Sequence, residues 1–176
     1  GEFYFYNKKS KKVKTKDLLN KNIPFILDKI SWKKSMKWGE FDLHWGRPLK
    51  SILAIFNGEN LNFKYHHLKS SNITYLDKEF EEKTKSFNNF KSYNSYFKAK
   101  GIIIDNVLRK NFIEKELNKI SKKKSVEIKI NYKLLSEVSD IVEKPTIIAC
   151  TFDKKFLDIP KEILIITMQQ HQKYFP

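Results

Sequence analysis

The dipeptide Asn57-Gly58 constrains this chain more than any other feature. It stands between two runs that read as strands, LKSILAIF (49–56) and NLNFKYHHL (60–68). Asn and Gly both accept the positive φ that a two-residue hairpin turn demands. An antiparallel hairpin is therefore expected here. Just upstream, Phe41, Leu43 and Trp45 alternate with polar residues, the pattern of a half-buried strand.

Elsewhere the apolar period is helical. In KTKDLLNKNIPFILDKI (14–30), Leu19, Ile23, Ile26 and Ile30 fall on one stripe, with Thr15 as the expected cap and Pro24 as an expected kink. A short strand is expected near 73–75, then a mobile loop and a short helix ending at Gly101. IIID (102–105) reads as a brief buried strand. The next helix runs through NVLRKNFIEKELNKISKKK (106–124), capped by Asp105 and striped by Leu108, Phe112, Ile113, Leu117 and Ile120. VEIKI (126–130) alternates as a strand. NYKLLSEVSDIV (131–142) reads as a helix stopped by Pro145, TIIACTF (146–152) as a buried strand, and PKEILIITMQQ (160–170) as a last helix, with a strand left open for ILIIT. Hairpins interspersed with helices give an α+β fold, a mixed or antiparallel sheet packed against several helices, in one module over 1–176.

Apolar residues make up 40% of the 176, enough to build a core. The longest apolar stretch, ILIIT, is far too short to span a membrane. A lone Cys150 permits no intrachain disulfide and fits a reducing compartment. The net charge of +15 attracts polyanions, nucleic acid first. Only Arg47 and Arg109 are arginines; the other bases are lysines, which an AT-rich coding bias also produces. The charge is thus permissive for RNA contact and does not by itself specify it.

No constellation for catalysis stands out. Among His44, His66, His67 and His171 no pair has the four-residue helical spacing of a metal site. His66 and His67 are expected on one strand, one facing inward and one outward. Cys150 reads as a buried structural thiol. The EFEE run (79–82) and the Glu114/Glu116 pair read as solvated charges. Three stretches go beyond packing: SMKWG, WGRP and TMQQHQKYFP bring cations, amides and flat rings together, the groups that contact RNA. Taken singly, Trp38, Trp45, Tyr174 and Phe175 read more readily as core.

These stretches resemble the beta subunit of the bacterial two-subunit glycyl-tRNA synthetase. The likeness is carried by Met36, Trp38, Gly39, Arg47 and Pro48, then Glu137, Val138, Val142, Glu143, Pro145, Phe152, Phe156, Leu157 and Pro160. It closes with Thr167, Met168, Gln172, Lys173, Tyr174, Phe175 and Pro176. Lys37 stands where the family usually has Arg, and a Gly-His-Arg-Phe motif usual after the hairpin is replaced by ITYLDKEF (73–80).

The resemblance implies an internal segment of a longer chain, since GEFYFYN and KYFP both read as cuts through structure. It implies a fold similar to the editing-type domain of the phenylalanyl-tRNA synthetase beta subunit. It implies a non-catalytic module of a cytoplasmic, ATP-dependent ligase charging tRNA with glycine, with ATP and magnesium handled by the alpha subunit and no cofactor in this segment. The implied partners are the alpha subunit in a tetramer of two alpha and two beta chains, tRNA, and the remaining beta domains, with no membrane. Lys37, Trp38, Arg47, Gln172, Lys173 and Tyr174 are the candidates for tRNA or domain contact. An editing-type hydrolase of mischarged tRNA and a pure scaffold are the alternatives.

Overall fold

The computed structural model describes residues 1–8, 12–76, 80 and 82–176, which fold as α+β with five α-helices and small sheets. Contacts divide the chain into residues 1–93 and residues 94–176, each described by itself. Glu79 and Glu81 of the EFEE run, and 77–79 of the ITYLDKEF stretch, lie outside the described residues.

In residues 1–93, α1 spans Thr15–Asp28 and runs through Pro24. Its N-cap is Lys14, not Thr15, and no side chain caps it. The half-buried face is Lys16, Leu19, Asn20, Ile23, Pro24 and Leu27; Ile26 and Ile30 are exposed, so the expected stripe is rotated. Turning Pro24 inward buries its apolar ring and the helix position that lacks an N–H.

A hairpin follows. β1 (Met36–Lys37) pairs antiparallel with β2 (His44–Trp45), Met36 opposite Trp45. Leu43 is buried at its base, but Phe41 is exposed. The LKSILAIF run then serves two sheets. β3 (Ile52–Leu53) pairs parallel with β7 (Leu68–Ser71), and β4 (Ile55–Phe56) pairs antiparallel with β5 (Glu59–Asn60). Ala54 is the switch: its N–H donates to Ser71 O at 2.9 Å and its carbonyl accepts from Leu61 N–H at 3.0 Å. Asn57 and Gly58, at φ 51° and 78°, form the expected two-residue turn of the β4–β5 hairpin.

The returning strand is not continuous. β6 (Lys64–Tyr65) pairs antiparallel with β7 across a turn at His66 and His67, where His66 has φ 49°. The two histidines are therefore turn residues, both exposed, and not opposite faces of one strand. Burial alternates strictly over Leu61, Phe63 and Tyr65, all inside. With Leu43, Leu68 and Phe87 they make this unit's core. β8 (Ile73–Tyr75), as expected, pairs with β9 (Thr84–Ser86), which the sequence did not announce.

Helix α2 (Phe90–Ala99) ends before Gly101 as expected. In residues 94–176, α3 (Asn106–Lys124) starts with Leu108 N–H donating to the Asp105 carboxylate at 2.9 Å. Its inner face is Arg109, Ile113 and Leu117, while Leu108 is 61% exposed and Phe112 also faces outward. α4 (Tyr132–Ile141) is capped by Asn131, which accepts from Lys133 and Leu134 N–H. Ile113, Leu117 and Leu135 form the core, lined by Ile128, Ile130, Val138, Ile147 and Phe175.

Three expected strands are not strands. IIID, VEIKI and TIIACTF have no ladder partner among the described residues. In IIID, side-chain donors take the carbonyls that a neighbouring strand would use: Arg109 donates to Ile103 O at 2.6 Å. In VEIKI, Ile128 and Ile130 supply the apolar alternation against helices alone. In TIIACTF, only Ile147 packs on the core; Ile148 is 74% exposed and Cys150 is exposed, not buried. A 3₁₀ turn (Lys154–Asp158) leads into α5 (Lys161–Gln170), preceded by Pro160, which settles ILIIT as helix.

Candidate nucleic-acid interface

In residues 1–93 the candidates gather on the β1–β2 hairpin and the turn beyond it. Lys37 is exposed on β1 and donates to the Asp42 carboxylate at 2.7 Å. That hydrogen bond, then the charge of Lys37, holds the Asp42 carboxyl below its ordinary range, with His66 and His44 assisting and desolvation opposing. Trp38 is half-buried, its indole N–H donating to Trp45 O at 3.1 Å. That hydrogen bond ties the two arms of the hairpin together.

Around it runs a chain of rings. Trp32 lies 4.8 Å from Trp45, Trp45 meets Tyr65 edge-on at 6.1 Å, and His67 stacks on Phe41 at 3.6 Å with 7° between planes. Gly46 permits this: a Cβ there would stand 2.9 Å from the Trp32 ring. Burial and a hydrogen bond to Asp28 push the Tyr65 phenol up, and Asp28 also lies 3.6 Å from His66 Nε2. Arg47 follows directly after Gly46, exposed, with no ion pair or hydrogen bond to a described residue. Pro48 follows it, and a residue before proline favours extended backbone. Arg47 is the candidate cation in this unit whose guanidinium fork is left open.

In residues 94–176 the candidates Gln172, Lys173 and Tyr174 sit just past α5. Gln172 is exposed. Lys173 has φ 57° and its ammonium lies 2.6 Å from Glu137 on α4. Tyr174 is exposed, against its core reading, while its backbone N–H donates to Met168 O at 2.9 Å. Phe175 packs on the core as expected. The six candidates thus divide between the two units, three in each.

Two features were missed. Arg109 is buried, at 8% exposure, and its Nε donates to Ser139 O at 2.6 Å. The sequence hid it because a cation within an apolar period reads as surface. The second is a line of Asn111, Lys115, Asn118 and Lys122 on the outer face of α3, bordering a groove of about 450 Å³ with Glu114 and Lys119. Its signal is the repeat of four, three and four residues, visible only when polar residues are read for period as apolar ones are. Glu114 accepts from the Tyr132 hydroxyl at 2.9 Å, and Glu116 pairs with Lys119. Hydrogen bonding to Glu114, then its charge, raises the Tyr132 phenol.

Among the described residues, no group of three or more His, Cys, Asp or Glu side chains is placed to share a metal ion. No helix among them is long and apolar enough to cross a membrane.

A family model described as glycyl-tRNA synthetase beta subunit matches residues 1–176. The glycine–tRNA ligase beta subunit of Rickettsia akari (strain Hartford) is 36% identical over 173 residues, which are 98% of this chain and 26% of that protein. Those of Rickettsia canadensis (strain McKiel) and Rickettsia prowazekii (strain Madrid E) are 36% and 35% identical with the same coverage. The chain spans about a quarter of the length of these curated relatives, 26% in each case.

Proposed function

The chain belongs to the glycyl-tRNA synthetase beta subunit family, and from that premise we propose that it is a non-catalytic module of a glycine–tRNA ligase that engages tRNA and helps organise the enzyme. The observation that carries the tRNA role is Arg47. Its fork is exposed and without a partner among the described residues, close in sequence to the ring cluster of Trp32, Trp45 and Tyr65. A planar guanidinium in that state suits a phosphate. Lys37 and Lys173 are weaker contributors, since carboxylates already hold them.

The finer features rest on family membership alone: kinship with the editing-type domain of phenylalanyl-tRNA synthetase, a tetramer with an alpha subunit that handles ATP and magnesium, and cytoplasmic residence. The test is tRNA binding by the assembled enzyme across a salt series. Arg47→Ala lowers the magnitude of the slope of log affinity against log salt by about 1. An unchanged slope and affinity removes Arg47 from the interface.

A second reading, docking against other protein surface, is favoured by the apolar side chains that residues 94–176 leave exposed. Ile148, Leu157, Ile163 and Ile166 all face outward, and α5 buries none of its residues. Loss of subunit assembly with tRNA binding intact, on Ile163→Ser, supports it.

A further inference from the structure

Helix α3 carries a line of polar residues that the reading above does not use. Asn111, Lys115, Asn118 and Lys122 recur at steps of four, three and four, so they stack along one face. At a rise of 1.5 Å per residue the line is roughly 16 Å long, with its two lysines about 10 Å apart. All four side chains are exposed and border the same groove.

We propose that this face of α3 binds the sugar–phosphate backbone of RNA. The proposal rests on the tRNA-engaging reading and supplies it with a surface in residues 94–176.

Charge complementarity selects the occupant. Of the acids near the line, Glu116 pairs with Lys119, and Glu114 borders the groove as one carboxylate, accepting from the Tyr132 hydroxyl, against Lys115, Lys119 and Lys122. The side chains of Lys115 and Lys122 make no ion pair or hydrogen bond among the described residues. The Lys122–Lys124 run extends the positive field past the end of the helix. What remains unpaired on the line is cationic, and it is spaced for more than one phosphate.

The amides argue for RNA over an acidic protein face. A carboxylate-rich partner is matched by cations alone. Asn111 and Asn118 alternate with the lysines and offer both donors and acceptors, which suits a 2′-hydroxyl that is itself donor and acceptor. The core beneath fixes the helix: Ile113 and Leu117 are buried on the opposite face. The line is therefore presented on a rigid element.

The experiment uses the assembled enzyme and its tRNA. Lys115→Gln with Lys122→Gln keeps helix propensity and removes both charges. The salt slope is expected to fall in magnitude by about 2, about 1 per lysine. Asn111→Ala with Asn118→Ala is expected to weaken binding at an unchanged slope. Circular dichroism checks that both variants fold.

If the double lysine variant matches the wild type in affinity and slope while Arg47→Ala does not, the α3 strip is overturned and the tRNA reading stands. If the wild-type enzyme contacts tRNA but photocrosslinks nowhere to this chain, both are overturned. If the variant loses subunit association while its assembled fraction binds tRNA normally, the strip belongs to a protein partner and the proposal fails.

Discussion

Arg109 Nε donates to the carbonyl of Ser139 at 2.6 Å, and the same guanidinium donates through Nη1 to Ile103 O at 2.6 Å. One side chain on α3 thereby ties α4 to the extended segment before α3. No carboxylate among the described residues pairs with it; backbone carbonyls alone accept from this buried cation. Arg109→Ala leaves those carbonyls without this donor where the side chain is buried, at a cost on the order of 3 kcal/mol. Arg109→Lys recovers part of it, because an ammonium reaches one carbonyl and not the pair. Urea unfolding of the two variants against the wild type measures the ranking.

Ser70 plays a comparable part in residues 1–93. Its buried hydroxyl accepts from Phe63 N–H at 2.8 Å and reaches Leu61 O at 2.6 Å. Ser70→Ala strands both backbone groups, costing about 2 kcal/mol. Faster amide exchange at Phe63, ahead of its neighbours in the β6–β7 hairpin, is the local readout.

Lys173 and Glu137 meet at 2.6 Å, although one follows α5 and the other lies on α4. Both are partly exposed, so the pair contributes less than about 1 kcal/mol to stability. Lys173→Ala is therefore nearly silent in unfolding experiments. It is also expected to change the salt slope of tRNA binding by less than Arg47→Ala does, because a paired ammonium releases a phosphate's counterions only after leaving Glu137. A larger effect from Lys173 reverses that order.

Asp42 titrates below the ordinary aspartate range because Lys37 hydrogen-bonds to it. A depressed folded value means that the stabilisation is present above the unfolded value and fades as pH falls through the folded one. The contribution is small at an exposed site. Carbon-detected NMR titration is expected to show Asp42 moving upward in Lys37→Ala; an unchanged Asp42 removes Lys37 as the cause.

The helices were the most legible part of the sequence. Asp105 caps as expected, because an N-cap needs only the next three residues; Asn131 caps α4 without having been singled out, and Thr15 does not cap α1. The Asn57-Gly58 turn is equally local. Most of what failed needed a partner from elsewhere in the chain, although the strand at 73–75 held and the local cap expected at Thr15 did not. IIID, VEIKI and TIIACTF all have strand composition, yet none has a ladder among the described residues. His66 and His67 looked like mid-strand residues and are a turn, since Leu68 must reverse to pair with Tyr65.

The candidate site divided the same way. The cation and aromatic stretches could be picked out by residue type, but their availability could not. Lys37 and Lys173 are held by Asp42 and Glu137, Trp38 is tied to Trp45, and Arg47 stands open. Arg109, singled out only as one of two arginines, is buried.

The sequence by itself determined the family, the α+β class, the helix capped by Asp105 and the one turn whose φ angles its two residues fix. Tertiary structure alone decided which extended runs became strands, which helix face turned inward and which cations stayed free. The Asp105 cap and the Asn57-Gly58 turn are satisfied within a few residues, so the sequence suffices for them. A ladder bond, a buried face or an ion pair requires a group brought from far along the chain, and only the folded chain says which group arrives.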